Sequence, residues 1–164
     1  MENIQNALDE LNSLEGLEGV KAKIGSLVGQ LNHMIFLGNP DTAQTTVARL
    51  VGQIYRELGI LSSGHLVEVS CDDLVSQYVG QTAIKTKEVV EKAIGGVLLI
   101  DDVYSLLEEY PTFFGSEALE SLLREMENTT DLVVILSGCK DKMTTFLDSN
   151  PGLSSHFSLS HIEF

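Results

Sequence analysis

Residues 33–58 read HMIFLGNPDTAQTTVARLVGQIYREL, and this stretch decides the fold. Its opening, His33 to Leu37, is a compact apolar run of the kind found in a parallel strand buried on both faces. Gly38-Asn39-Pro40 ends the run, because proline fixes φ and has no N–H for a ladder. From Gln44 the period becomes helical, with Val47, Leu50, Val51, Ile54 and Leu58 on one face and Gly59 as the stop. The segment is a strand, a Gly/Pro loop and a helix in succession.

The same alternation extends outward. Strands are predicted at His65–Val69, Val97–Ile100, Leu132–Ser137 and His161–Phe164. Between them lie a short helix at Asp72–Tyr78, a longer one at Thr82–Ile94 closed by Gly95-Gly96, a loop holding Pro111, and helices at Ser116–Glu127 and Asp141–Asp148. Upstream, Leu8, Leu11, Leu14 and Leu17, then Val20, Ile24, Leu27, Val28 and Leu31, predict two lead-in helices within residues 1–31. Val/Ile/Leu strands alternating with amphipathic helices imply an α/β fold of three layers, a parallel sheet with helices on both faces. All 164 residues read as one domain.

Composition narrows the function. Ten Lys and Arg against 24 Asp and Glu give a net charge of −14, a field that repels nucleic acids and anionic membrane surfaces, so neither is expected as a partner. Cys71 and Cys139 stand apart without a CxxC, and the histidines lack ligand spacing, which predicts two buried free thiols and no metal held by Cys or His. The N-terminus is acidic and polar, and no apolar run reaches the ~20 residues of a membrane span. A soluble, cytoplasmic protein is expected.

Two motifs point to chemistry. Gly38, Asn39, Pro40, Asp41, Thr42, Ala43, Gln44, Thr45 and Thr46 lie in register with the phosphate-binding pattern G-x-x-x-x-G-K-[ST]. That loop works through backbone N–H groups around the phosphates, a lysine on the β/γ oxygens and a hydroxyl on Mg²⁺. Here Gln44 takes the lysine position, Ala43 replaces a glycine, Asp41 adds an anion, and Thr45 alone is kept. On these residues alone, an ordinary βα turn that never met a nucleotide remains an alternative. The second motif is Val97-Leu-Leu-Ile-Asp-Asp102, an apolar strand ending in two carboxylates. In a phosphoryl-transfer site Asp101 would join Thr45 in holding Mg²⁺, and Asp102 would polarise the attacking water. Asp102 is one methylene shorter than the glutamate usual there.

Leu14-Glu-Gly-Leu-Glu-Gly-Val-Lys21, His33-Met-Ile-Phe-Leu-Gly-Asn-Pro40, Thr45-Thr-Val-Ala-Arg49, Gly64-His-Leu-Val-Glu-Val69, Asp73-Leu-Val75, Tyr78-Val-Gly-Gln-Thr-Ala-Ile-Lys-Thr86 and Phe146-Leu-Asp-Ser-Asn-Pro-Gly-Leu153 together cover most of the chain. With them it resembles the CbbX/SpoVK (CfxQ) branch of the AAA+ P-loop ATPases, which includes the red-type Rubisco activases. The resemblance implies a five-stranded parallel sheet of order 5-1-4-3-2, a cytoplasmic or plastid-stromal setting, hexamers, and ATP-driven threading of a peptide through a central pore. It also implies a pore loop at Tyr78, Val79 and Gly80, for which the bland reading is a tyrosine anchored in the core ahead of a helix. Cys139 and Lys140 fall near a polar sensor position, with sensing and packing both open.

The chain departs from the family pattern in three places. The phosphate loop is degenerate. The family follows Asn150-Pro-Gly-Leu153 with Arg-Ser-Arg-Phe, whereas Ser154-Ser-His-Phe157 stands here, so Ser154 and His156 leave no arginine finger. The connection between Lys21 and the first strand is shorter than the family's, and the helical lid domain that the family places after the position of Phe164 is expected to be reduced or missing. The expected function is a pseudo-ATPase or inactivated scaffold, with weak ATP/Mg²⁺ binding at most, a protein or peptide partner, and a monomer or small oligomer. One alternative is a weak ATP-binding remodeller of the CbbX/SpoVK type, and another an engineered α/β scaffold. Glu108-Glu109 and Asn128–Asp131 are read as solvated loop.

Overall fold

The computed structural model describes residues 9–10, 33–39, 42–157 and 161–164. The lead-in helices predicted within residues 1–31 therefore lie outside the described residues except at Asp9 and Glu10, which are helical, with Glu10 Oε1 2.8 Å from Arg49 Nη2. Pro40 and Asp41 of the phosphate-type loop also lie outside them.

Five parallel strands, β1 (Met34–Leu37), β2 (Leu66–Val69), β3 (Val97–Ile100), β4 (Val133–Gly138) and β5 (His161–Glu163), form one sheet of order β2-β3-β4-β1-β5. This is the expected 5-1-4-3-2 order read from the other edge. Period-2 alternation along each strand divides the core. Met34, Phe36, Leu99 and Ile135 face α1 (Thr42–Glu57), whose Val47, Leu50, Val51 and Ile54 cover them. Ile35, Leu37, Leu98, Ile100, Val134 and Leu136 face the opposite layer. That layer is built from α2 (Thr82–Ala93), the one-turn α3 (Ser105–Glu108), α4 (Thr112–Asn128), α5 (Lys140–Asp148) and α6 (Pro151–Phe157). Residues of β1, β3 and β4 are buried on both faces, which explains why these strands read as continuous apolar runs. Each fully buried leucine of the central strands contributes roughly 2–5 kcal/mol, the usual cost of truncating it to alanine.

Gly52 fixes how closely α1 sits: a Cβ there would stand 2.3 Å from the Gly64 carbonyl oxygen, so the helix packs against the start of the β2 segment only because this residue has no side chain.

Several local expectations are corrected. Asp72–Tyr78 is not a helix; a single 3₁₀ turn, Cys71–Asp73, is followed by an irregular loop, because Ser70 and Asp73 close a capping box over three residues and Lys85 and Thr86 hold the following carbonyls. The helix placed at Ser116–Glu127 begins at Thr112, directly after Pro111, whose fixed φ ≈ −52° serves as an N-terminal boundary. Pro151–Phe157 is an additional helix, beginning at a proline, where a missing N–H costs nothing. Cys71 is a buried free thiol as expected, but Cys139 is only partly buried. Asp131 is not simply solvated: its carboxylate accepts from the Ser62 N–H at 3.1 Å and the Ser62 hydroxyl at 2.6 Å.

Candidate functional site

The carboxyl ends of β2, β3 and β4 converge on one carboxylate. Alternation along β3 puts Leu99 toward α1 and Ile100 away from it, so Asp101 turns toward α1. In the same way Glu68 of β2 and Ser137 of β4 fall on the α1 side, in strands paired with β3. The outcome is a chain of contacts: the Thr45 hydroxyl, in the first turns of α1, donates to Glu68 Oε1 at 3.1 Å, and the Ser137 hydroxyl donates to Asp101 Oδ1 at 3.0 Å. Burial first, and then the hydrogen-bonded Glu68 carboxyl, push Asp101 up to about 7, against the partial relief from Ser137. Glu68, rather than the adjacent Asp102, is thus the main partner of Asp101.

Asp102 departs along a different course. It takes φ = 50°, the left-handed region that Asp tolerates better than most residues, and its Oδ1 accepts the Tyr104 hydroxyl at 2.9 Å. The Tyr104 ring lies against Gly138, whose absent Cβ leaves room 2.4 Å from Tyr104 Cε1, and Lys142 Nζ stands 4.9 Å above the ring. Burial and the Asp102 carboxylate both push the Tyr104 phenol up. The two acids that the sequence places side by side therefore point to separate partners, Asp101 to the α1 side and Asp102 to Tyr104.

Of the phosphate-type loop, the described residues are Gly38, Asn39, Thr42, Ala43, Gln44, Thr45 and Thr46. Gly38 N–H donates to the Gly138 carbonyl at 2.9 Å, tying the loop's start to the end of β4. Gln44 is 1% exposed, and its Nε2 lies 3.5 Å from where a Gly38 Cβ would be, so the side chain at the lysine position folds in against the loop's first glycine.

The Leu74–Gln81 loop is built differently. Thr86 Oγ1 donates to the Leu74 carbonyl at 2.9 Å, Lys85 Nζ to the Asp72 and Val75 carbonyls at 2.8 Å each, and Thr82 Oγ1 accepts from Ser76 N–H at 3.1 Å. Three side chains of the first turns of α2 thus hold this loop by its backbone. Its tip remains outward: Tyr78 is 70% and Val79 77% exposed, and Gly80 completes the turn at φ = 81°, a conformation glycine takes without strain. Tyr78 is accordingly not a core anchor.

Ser154 and His156 lie in α6. Ser154 donates to the Leu147 carbonyl at 3.2 Å, and His156 Nε2 is 3.8 Å from Glu127 Oε1, with its ring 6.0 Å from that of His33. Lys140 pairs with Glu163 at 2.7 Å. Sequence reasoning missed Glu68 and Ser137. The signal available was a carboxylate inside an otherwise apolar strand and a hydroxyl closing Val-Val-Ile-Leu, but both become site residues only once β2 and β4 are known to flank β3. Among the described residues no cluster of three or more His, Cys, Asp or Glu side chains is arranged to hold a metal, and no helix is long and apolar enough to cross a membrane.

The sequence profile of the AAA family, the ATPase family associated with various cellular activities, matches residues 34–149. The chain is similar to CbxX, plasmid, of Cupriavidus necator, 49% identical over 160 residues that cover 96% of this chain and 49% of that protein. It is similar to stage V sporulation protein K of Bacillus subtilis, 41% identical with 98% and 50% covered, and to CfxQ of Xanthobacter flavus, 54% identical with 80% and 42% covered. The chain spans about half the length of the curated relatives it matches. In fold it resembles the FIGL-1 AAA domain at a TM-score of 0.61, with 17% identity and coverage of 100% of this chain and 61% of that one. The same domain in complex with ADP gives 0.56, with 18% identity and coverage of 100% and 53%. Sheet order, the position of the Asp101 strand and these matches agree: the chain belongs to the AAA family, in its CbbX/SpoVK branch.

Proposed function

We propose that this chain is an AAA core that keeps a protein-contact loop while its nucleotide chemistry has lapsed, a pseudo-ATPase that binds a protein or peptide without turnover. The observation that carries the reading is Gln44: at the position where a phosphate loop needs a lysine, a neutral side chain is 1% exposed and folded in against Gly38. Such a side chain supplies no charge to the β/γ oxygens of a triphosphate.

The donors present fit ATP with Mg²⁺, the group that the family implies, only in part. Magnesium asks for hard oxygens, and Thr45 and Asp101 are of the right kind. The triphosphate does not fit: Gln44 brings a neutral carboxamide, tucked against Gly38, to the lysine position, and Asp41 adds an anion to the loop. Losing one attractive pair and gaining one repulsive pair at ~4 Å and an effective dielectric near 20 is worth roughly 4 kcal/mol each before screening. At the finger positions, Ser154 and His156 offer no guanidinium, a group worth about 10³ to 10⁵ in rate where it acts. No catalytic step is assigned to this chain.

Calorimetric titration with ATP·Mg²⁺ tests the reading, with no saturable binding below roughly millimolar as the expected result. A micromolar dissociation constant would instead support the second reading, a weak ATP-binding remodeller. That reading is favoured by one observation: Thr45 and Asp101, both hard-oxygen donors, share Glu68 as a partner. For assembly we expect a monomer or small oligomer, since the interface would lack nucleotide and like charges repel at low salt. Light scattering that gives a stable hexamer without nucleotide contradicts this.

A further inference from the structure

A cleft of about 680 Å³ opens beside the exposed loop, within the ~300–1,000 Å³ range of ligand sites. It is lined by Gln77 and Tyr78 of the loop and by Tyr110, Pro111 and Phe114 at the entry to α4, together with Asp72, whose carboxylate accepts the Tyr110 hydroxyl. Both walls are firm. The first is held by the Thr82, Lys85 and Thr86 contacts, and the second by Phe114 and Tyr110 packing on the core.

The chemistry of the cleft selects a cation. Three aromatic side chains, Tyr78, Tyr110 and Phe114, line the cleft, a composition that attracts cations, and the Asp72 carboxylate, although it accepts the Tyr110 hydroxyl, has lone pairs beyond that one bond. The one cation lining it, Lys85, spends its ammonium on the Asp72 and Val75 backbone carbonyls. The chain as a whole carries a net charge of −14, a field that draws cations toward it and repels acidic ligands. An exposed tyrosine at the rim and a carboxylate inside match an extended segment that lays its backbone across Tyr78 and inserts one basic side chain.

We infer that this cleft is a recognition pocket for a single Lys or Arg side chain of an extended peptide, stacked between Tyr78, Tyr110 and Phe114 and paired with Asp72. The inference rests on reading the Tyr78 loop as a peptide-contact loop, and it adds the chemical class of the peptide, a basic one.

The test uses the full chain and two short Gly/Ser/Leu peptides that differ at one residue, arginine in one and its neutral isostere citrulline in the other, titrated by NMR into the millimolar range. The arginine peptide should bind at least about tenfold tighter, with Asp72→Asn cancelling the difference and higher salt reducing it. Tyr110→Phe, which releases the carboxylate from its phenol while keeping the ring, should preserve or raise the preference. Equal binding of the two peptides, with Tyr78→Ala weakening both, overturns the pocket and leaves the peptide-contact reading standing. So does a tenfold preference that survives Asp72→Asn in a chain that still melts as the wild type does. Absence of binding by either peptide at millimolar concentration overturns both.

Discussion

The two ends of the sheet each hold a titratable group that burial keeps from its charge, and they differ in what surrounds it. At the amino end, His33 is pushed down to about 4, by burial first and then by His156. Its neutral ring has a use: Nδ1 accepts the Val134 N–H at 2.9 Å, which joins the start of β4 to the residue before β1, and Phe157 packs on the ring at 5.8 Å between centroids. At the carboxyl end, Asp101 is pushed up to about 7, and what faces it is another carboxyl, Glu68. One end is a satisfied packing contact, and the other brings two carboxyls together, an arrangement that costs stability when both are charged. Perturbed groups of the second kind gather at functional sites.

The largest effect that would break this contrast comes from restoring the missing phosphate chemistry. Asp41→Gly, Ala43→Gly and Gln44→Lys together should bring ATP·Mg²⁺ affinity from millimolar or weaker to micromolar, at least about a hundredfold, because each charge removed or gained near the phosphates is worth kcal/mol. Calorimetry reads it, and an unchanged titration would place the defect outside the loop.

The next effect belongs to the amino end. A base whose folded pKa lies below its unfolded 6.5 leaves stability intact above that pH and costs stability as the pH falls toward the folded value of about 4. Over that window wild type should lose about 3 kcal/mol from His33 alone. A His33→Phe chain should show a flatter melting temperature between pH 6.5 and 4, with a lower starting value because the Val134 N–H loses its acceptor.

Asp101 gives the opposite slope and a smaller one. Its folded pKa is raised, so its contribution is fully present below the unfolded 3.8 and is lost as the pH climbs through about 7. Asp101 is only partly buried, and solvent screening reduces the penalty near pH 7 to on the order of 1 kcal/mol. Asp101→Asn should therefore be neutral or stabilising at pH 7, by thermal melts run across that range. Clear destabilisation, or a rise in melting temperature with ATP·Mg²⁺ found only in wild type, would mean that the carboxyl end still works as a nucleotide site.

Smallest is Thr45→Val. It removes a hydroxyl whose partner Glu68 is exposed, so stability should change by about 0.5–1.5 kcal/mol or less. If this change also abolished a measurable ATP affinity, the hydroxyl would be a Mg²⁺ ligand and not merely a donor to Glu68.

How much was legible from residue order follows from the range of each effect. The strand–loop–helix reading of residues 33–58, the parallel sheet and the acids ending Val97–Ile100 come from local period and composition, which the chain carries wherever it folds. The substitutions at Ala43, Gln44, Ser154 and His156 are equally plain, because a missing lysine, glycine or arginine needs no coordinates to be seen. Short elements were misread where side chains acted on distant backbone. Lys85 and Thr86 hold the carbonyls after Cys71–Asp73, so the apolar spacing there never becomes a helix.

Tertiary structure alone decided which groups meet. Glu68 and Asp101 lie in different strands, far apart in sequence, and only the adjacency of β2 and β3 with matching side-chain parity turns both toward Thr45. Neighbouring Asp101 and Asp102, the pair the sequence joins, are separated by a φ of 50° that sends the second carboxylate to Tyr104. Sequence period determines which face a residue takes, because it is a property of one strand. Partners across a sheet depend on strand order and burial, which no single segment contains.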